Sequence, residues 1–301
     1  MGRDTFLRAA ITSVCIRSTT VRHKYRQLTY RFLQVGSRTI MVRLSITTVL
    51  GLLLTGALPA ADNQSARDLM QEATQRLATF SDQARPEAER LIREALSIWE
   101  RDSTKNREPH ADASVILALV LIGEQKYKEA APFAEQAIRT YEQIAPGVKN
   151  SRLALALEAF WLSSRLTGDS ERGQAAQQRA ATIRTRVIAE KQLADEAGKP
   201  PIGDSVRKSD KTLSEHPKPI FKPEPEYAYP ARIAKWQGSV SFSFVIDSEG
   251  VPRDIKLVRS LGFGLDEMAY KALKSWRFKP GRYDGTPVPV HVYVDINYKL
   301  L

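Results

Sequence analysis

YPARIAKWQGSVSFSFVIDSEGVPRDIKLVRSLGFGLDEMAYKALKSWRFKPGRYDGTPVPVHVYVDINYKL, residues 229–300, is the stretch that decides the fold. Gly238 opens a strand in which Val240, Phe242, Phe244 and Ile246 alternate with Ser239, Ser241, Ser243 and Val245, so one face belongs to a core. Asp247-Ser248-Glu249-Gly250 reads as a hairpin turn with Gly250 at the position that needs a positive φ, and the return strand points Ile255 and Leu257 inward. Leu265, Met268, Ala269, Ala272, Leu273 and Trp276 then fall at helical spacing on one face, a helix that covers the sheet. Trp276, Phe278 and Pro280 close that helix and turn the chain back. A last strand directs Val288, Val290, Val292, Val294, Ile296 and Tyr298 inward and His291, Tyr293, Asp295 and Asn297 outward.

These landmarks resemble the TonB C-terminal family: the YPAR lead-in, a Gly before the first strand, the D-x-x-G turn, a helix begun by Leu265-Asp266, the WRFKP exit and the G-x-P-V strand. The resemblance covers residues 223–301. It implies a small α+β domain, a three-stranded antiparallel sheet with two helices, which binds a short extended segment of an outer-membrane receptor as an added strand. It also implies that Tyr229, Pro230 and Arg232 lie in the lead-in next to the receptor. The alternative for Tyr229 and Pro230 is structural, a helix start packed on the sheet.

The prolines of the last strand carry a separate expectation. Pro287 and Pro289 lack N–H donors, and residues two apart direct their backbone groups to the same side of a strand. That side is then unpaired, and His291, Tyr293, Asp295 and Asn297 offer their backbone to an open edge where a partner strand can add. The competing explanation is that the strand simply starts beyond the sheet.

Ahead of this module, residues 196–222 are rich in Lys, Pro, Ser, Asp and Gly and poor in bulky apolar residues, which is the composition of a spacer, with His216 solvated. As an extended Pro-rich segment it would span on the order of 80 Å, and as a flexible coil roughly 30 Å. Residues 62–195 are rich in Ala, Glu, Gln, Arg and Leu, with breaks at Pro109, Gly123, Pro146 and Gly168. Three all-α hairpins are expected, pairing about 65–80 with 86–102, 111–123 with 127–144, and 150–166 with 170–194. The helices starting at Ala88, Ala130 and Gly173 align so that Ala95, Ala137 and Ala180 coincide. A small residue at a recurring helix position lets a neighbour approach closely. The run KYKEAAPFAEQA from Lys126 resembles the second helix of a tetratricopeptide repeat, although the spacing is longer and the Trp-Leu-Gly signature is missing; an ordinary helical bundle is the alternative. Tetratricopeptide-like stacking implies a concave groove holding a second protein or peptide. Trp99 and Trp161 read as packing residues.

Residues 1–61 form a basic leader. Arg43, an uncharged stretch from Leu44 to Leu58 and then small residues have the order of a secretory signal, expected to place the chain in the periplasm. An apolar stretch of this length falls short of the roughly 20 residues a membrane helix needs, which favours cleavage over retention as an inner-membrane anchor at residues 44–58. Met41 is a plausible true start. The stretch holds no His or charge through which an energy-coupling member of the family would meet its motor proteins.

The net charge of +11 invites a nucleic-acid reading, but the leader supplies most of it, with nine Lys or Arg against Asp4 alone. A phosphate-binding domain keeps its positive charge in the folded part, so DNA and RNA are not expected partners. Cys15 is the sole cysteine, so the remainder can form neither a disulfide nor a Cys-based zinc site. No metal-ligand spacing, Gly-rich phosphate loop or nucleophile motif is evident, so the expectation is a binding protein without cofactor or catalytic residue. Two readings stand: a component of TonB-dependent transmembrane transport that engages an outer-membrane receptor, or a periplasmic scaffold that uses both modules for assembly without energy coupling.

Overall fold

In a computed structural model, residues 59–101, 107–144, 150–203, 206–207 and 213–300 are described, together with short antiparallel strands Arg17–Ser18, Arg31–Val35 and Arg38–Met41 in the leader. The chain divides into two units, Met1–Pro59 and Ala60–Leu301. The apolar stretch 44–58 lies outside the described residues, and among those described no helix is long and apolar enough to cross a membrane.

The second unit begins with three antiparallel helical hairpins: α1 (Pro59–Leu77) with α2 (Arg85–Glu100), α3 (Arg107–Gly123) with α4 (Tyr127–Ile144), and α5 (Ser151–Thr167) with α6 (Ser170–Glu196). Their ends follow local chemistry. Pro86 sits in the first turn of α2, where its missing N–H costs nothing. Asn150 caps α5 by accepting the Leu153 amide at 2.9 Å, and Gly168 ends it at φ 98°. Asn150→Ala is expected to remove about 1 kcal/mol of stability, measurable by urea denaturation. Ala95, Ala137 and Ala180 are all buried, which lets the helices approach closely. Helices α3 and α5 are buried on almost every side, and their sequences are accordingly apolar with little amphipathic stripe.

The C-terminal module contains two helices, α7 (Tyr229–Ile233) and α8 (Leu265–Ser275). Its main strands are β3 (Gly238–Ile246), β4 (Pro252–Arg259) and β8 (Val290–Tyr298), with β3 central and antiparallel to both neighbours. This is the expected three-stranded sheet with two helices. The short parallel strand β1 (Val206–Arg207) extends it beyond β8. Val240, Phe242, Phe244, Ile246, Ile255, Val290, Val292, Ile296 and Tyr298 fill the core beneath Leu265, Ala269, Leu273 and Trp276. Ser243 and Val245 are buried as well, as suits a strand flanked on both sides. In the hairpin turn Asp247 accepts the amides of Glu249 and Val251, and Gly250 has φ 83°. A Cβ on Gly250 would lie 1.8 Å from the Phe278 carbonyl oxygen, so the turn needs glycine both for its conformation and for its contact with the exit strand.

The stretch expected to act as a spacer is largely built into the fold. Glu196 ends α6, Leu213 is buried, Ser214 and Glu215 bond to Arg282, and β2 (Lys218–Phe221) pairs with β5 (Arg277–Lys279). Unpaired Lys/Pro composition misled here because these bonds are made by the backbone, whatever the side chains. His216 is exposed. A small ribbon of β6 (Gly281–Tyr283) and β7 (Thr286–Val288) completes the module.

The helical hairpins pack directly on this module. Arg85 Nη1 donates to the Ile233 carbonyl at 2.9 Å, Trp161 meets Trp236 edge-on at 5.4 Å, and the Phe263 amide donates to Glu158 at 2.7 Å. At Gly123, read from the sequence only as a helix end, a Cβ would fall 2.3 Å from both Arg85 and the Ile233 carbonyl. The glycine permits this close approach. Residues of α3 and α5 thus lie directly against the module, Gly123 beside Ile233 and Trp161 beside Trp236.

Candidate partner-binding edge

Strand β8 pairs with β3 along its whole length, Val290 opposite Ile246 through Tyr298 opposite Gly238. The Asp247 amide donates to Val251, across the turn that joins β3 to β4. Alternation along β3 then directs its odd-numbered residues to β4 and its even-numbered ones to β8. The partners of the latter on β8 are also even-numbered, and the Leu300 amide points the same way, to Gln237 on the β3 side. The backbone groups of His291, Tyr293, Asp295 and Asn297 are therefore directed to the opposite edge. Pro287 lies opposite Arg282, whose own N–H and C=O are both engaged with residues 214–215, so its missing donor costs the ribbon nothing.

On that far edge β1 occupies only the first two positions, Val206 beside Val290 and Arg207 beside His291. Among the described residues no strand pairs there from Val292 to Tyr298. A cleft of about 440 Å³ lies next to this stretch, between Lys222–Tyr227 and Asp295–Lys299. Tyr293 is 73 % exposed and stacks edge-on to His291 at 5.0 Å. Asp295 accepts from Ser241 and stands 3.4 Å from Arg259, and Asn297 accepts from Ser239. The four outward residues thus form a polar, aromatic-tipped row along one face of the edge.

The opposite edge of the sheet is differently placed. Helix α6 runs along β4, with Arg253 bonded to Glu196 and, at 3.0 Å, to the Pro200 carbonyl. An apolar cavity of about 700 Å³ separates parts of the two, lined by Ile188, Leu193, Pro201, Ile255 and Leu257.

The lead-in residues face the first helical hairpin. The Tyr229 hydroxyl donates to the Thr74 carbonyl at 3.2 Å, its ring meets Phe80 at 5.9 Å, and burial pushes its pKa up to about 12. Pro230 is half-buried in the first turn of α7. Arg232 is exposed and lies between the rings of Phe80 and Tyr227, at 4.8 and 5.5 Å. Tyr227 in turn packs on Tyr298 and lines the cleft beside β8. The structure therefore brings the four β8 residues together in one row and sets the lead-in trio apart from it, against the helices. Sequence reasoning missed Arg85, Gly123, Glu158 and Arg184, which join helices to module. Gly123 reads locally as a helix end and Arg85 as a charge at a helix start, whereas the apolar residues at helical spacing around Glu158 and Arg184 were the signal that could have marked those two as buried. Among the described residues no group of three or more side chains is arranged to hold a metal ion.

Residues 223–300 match the family described as Gram-negative bacterial TonB protein C-terminal. Protein TonB of Vibrio cholerae is 33 % identical over 78 residues, 26 % of this chain and 32 % of that protein. Protein tonB2 of Pseudomonas aeruginosa is 33 % identical over 82 residues, 27 % of this chain and 30 % of that one. The chain thus spans about a third of the length of these relatives. A solution NMR structure of the Pseudomonas aeruginosa TonB CTD covers 32 % of this chain and 96 % of its own at 24 % identity, with a TM-score of 0.25. The sequence landmarks, the three-stranded sheet with its two helices and the family match all fall on the same residues, and residues 223–300 are a TonB-type C-terminal domain.

Proposed function

We propose that the protein is a TonB-like component of the cell envelope that works by binding, not by chemistry, and accepts an extended segment of an outer-membrane receptor as an added strand on β8. The observation that carries this reading is the edge from Val292 to Tyr298, with its odd-numbered backbone groups turned outward beside an open cleft. His291, Tyr293, Asp295 and Asn297 form the accepting row. Arg232 flanks it through Tyr227, while Tyr229 and Pro230 hold the lead-in in place. The periplasm is where such a segment would be met.

A second reading is favoured by the direct packing of the hairpins on the module. A transducer that reaches across the periplasm needs a long free spacer, whereas residues 213–221 are bonded to the module itself. That suits a periplasmic adaptor which joins two proteins without energy coupling. A second partner of the tetratricopeptide-like hairpins would use a face that is not packed on the module.

Tyr293→Pro tests the accepting edge. The substitution removes a donor on the outward side and leaves the β3–β8 bonds in place. Far-UV circular dichroism is expected to be unchanged. Recovery of receptor proteins from outer-membrane extract by immobilised protein is expected to fall at least tenfold. Undiminished recovery by a folded variant would sink the strand-addition reading.

A further inference from the structure

Three carboxylates and one guanidinium are buried together where α5 and α6 meet the module. Arg184 donates from Nε and Nη2 to the two oxygens of Glu158, at 2.8 and 2.9 Å, and from Nη1 to Glu267 at 2.6 Å. The Phe263 amide adds a third bond to Glu158, and Ser151 donates to Glu267 at 3.0 Å. Asp266 accepts from the Ser260 hydroxyl at 2.6 Å and from the amides of Leu261 and Gly262 at 2.8 and 3.2 Å. The side chains of Arg184, Glu158 and Glu267 are only 2 %, 6 % and 10 % exposed, and Asp266 is wholly buried. Among the described residues Arg184 is the only cation bonded to this group, so full ionisation leaves two uncompensated negative charges. One buried oxygen, Oε2 of Glu267, has no partner. Excess charge in a site shielded from water is costly, and a proton is the simplest relief.

We infer that this cluster is a proton-controlled latch: a proton taken up at Asp266 holds the helical hairpins down on the module, and its loss loosens them. What the latch holds includes the lead-in, through the Tyr229 to Thr74 bond and the Phe80–Arg232 contact. The charges of Glu158 on α5 and Arg184 on α6 act on Asp266 through space, its own charge acts on Tyr298 of β8, whose hydroxyl donates to the Leu265 carbonyl at 3.1 Å, and Glu267 follows it on α8. Burial holds the Asp266 carboxyl up at about 6, against an ordinary value of 3.8; the Ser260 and Leu261 bonds oppose this, Glu158 adds to it and Arg184 opposes it. A carboxyl whose folded value is raised above the unfolded one contributes stability that is full below about pH 4, is lost as pH rises from there to about 6, and stays lost above that. A displacement of about two pH units sets an upper bound of roughly a hundredfold on the effect in the docking equilibrium.

Amide exchange at Phe263, whose N–H is bonded to Glu158 across the interface, reads the latch directly in the full chain. Its protection factor, corrected for intrinsic exchange, is expected to fall about tenfold between pH 5 and pH 7.5, and to be flat over that range in Asp266→Asn. A flat profile in the unaltered chain, or an equal slope in Asp266→Asn, overturns the latch. Should Asp266→Asn not fold, Glu158→Gln decides: with one carboxylate charge gone, the midpoint is expected to move to lower pH, and an unmoved midpoint overturns the assignment. The outcome is independent of strand addition, which Tyr293→Pro tests by itself.

Discussion

Arg184→Ala is expected to destabilise the protein by about 3–5 kcal/mol at neutral pH, among the largest effects of any single change outside the apolar core. The guanidinium satisfies two carboxylates from different parts of the chain, Glu158 on α5 and Glu267 on α8. Its removal leaves Glu158 with the Phe263 amide and Glu267 with Ser151 as partners in a site from which water is excluded. The loss arises from stranded charge more than from the lost attraction itself. A double change, Arg184→Met with Glu158→Leu, is therefore expected to recover much of the stability, because apolar packing replaces an ion pair at little net cost. Urea denaturation followed by tryptophan fluorescence measures both. A loss below about 1 kcal/mol for Arg184→Ala would mean that the hairpins are not held on the module by this pair.

Phe263→Ala should cost a similar amount, about 3–5 kcal/mol, for a different reason. The ring is fully buried, packs on Trp236 at 5.4 Å, and Trp236 in turn meets Trp161 of α5, so an aromatic stack runs from module to helices. Its removal opens a cavity between layers that are pinned elsewhere and cannot collapse. Phe263 also has φ 52°, the left-handed region that a bulky side chain seldom adopts. Phe263→Gly loses the same ring but releases that strain, so it should be less harmful than Phe263→Ala by about 1 kcal/mol. Thermal unfolding of the two variants gives the order. If glycine is the worse of the two, the backbone at 263 is not strained.

Much of the module was legible in the sequence because its information is local. The alternation from Val240 to Ile246, the glycine at position 250 and the spacing of Leu265, Ala269 and Leu273 each follow from geometry repeating over a few residues. The helix pairs were legible for the same reason, and Ala95, Ala137 and Ala180 marked where helices come close. The outward row on β8, His291, Tyr293, Asp295 and Asn297, came from the same two-residue period. What could not be read is where the hairpins lie. Glu158 and Arg184 have apolar neighbours at helical spacing, Ala154, Leu155, Trp161 and Leu162 around the first and Ala180, Ala181, Val187 and Ile188 around the second, which marks each as a charge on a buried face but does not name its partner, and Glu267 and Asp266 come more than 80 residues after Arg184. Gly123 looked like a stop signal when it is also a point of contact. Residues 213–221 had the composition of a spacer, but they are held by bonds of their backbone.

The sequence by itself determined that the last part of this protein is a TonB-type strand-and-helix module behind a set of helical hairpins, because periodicity and turn chemistry act between neighbours in the chain. The tertiary structure alone decided that the hairpins close over the module, that β8 from Val292 to Tyr298 has no strand partner on its far edge among the described residues, and that three carboxylates are buried around one arginine. Those features depend on distance in space, and the desolvation that gives the buried charges their weight exists only after distant segments have met.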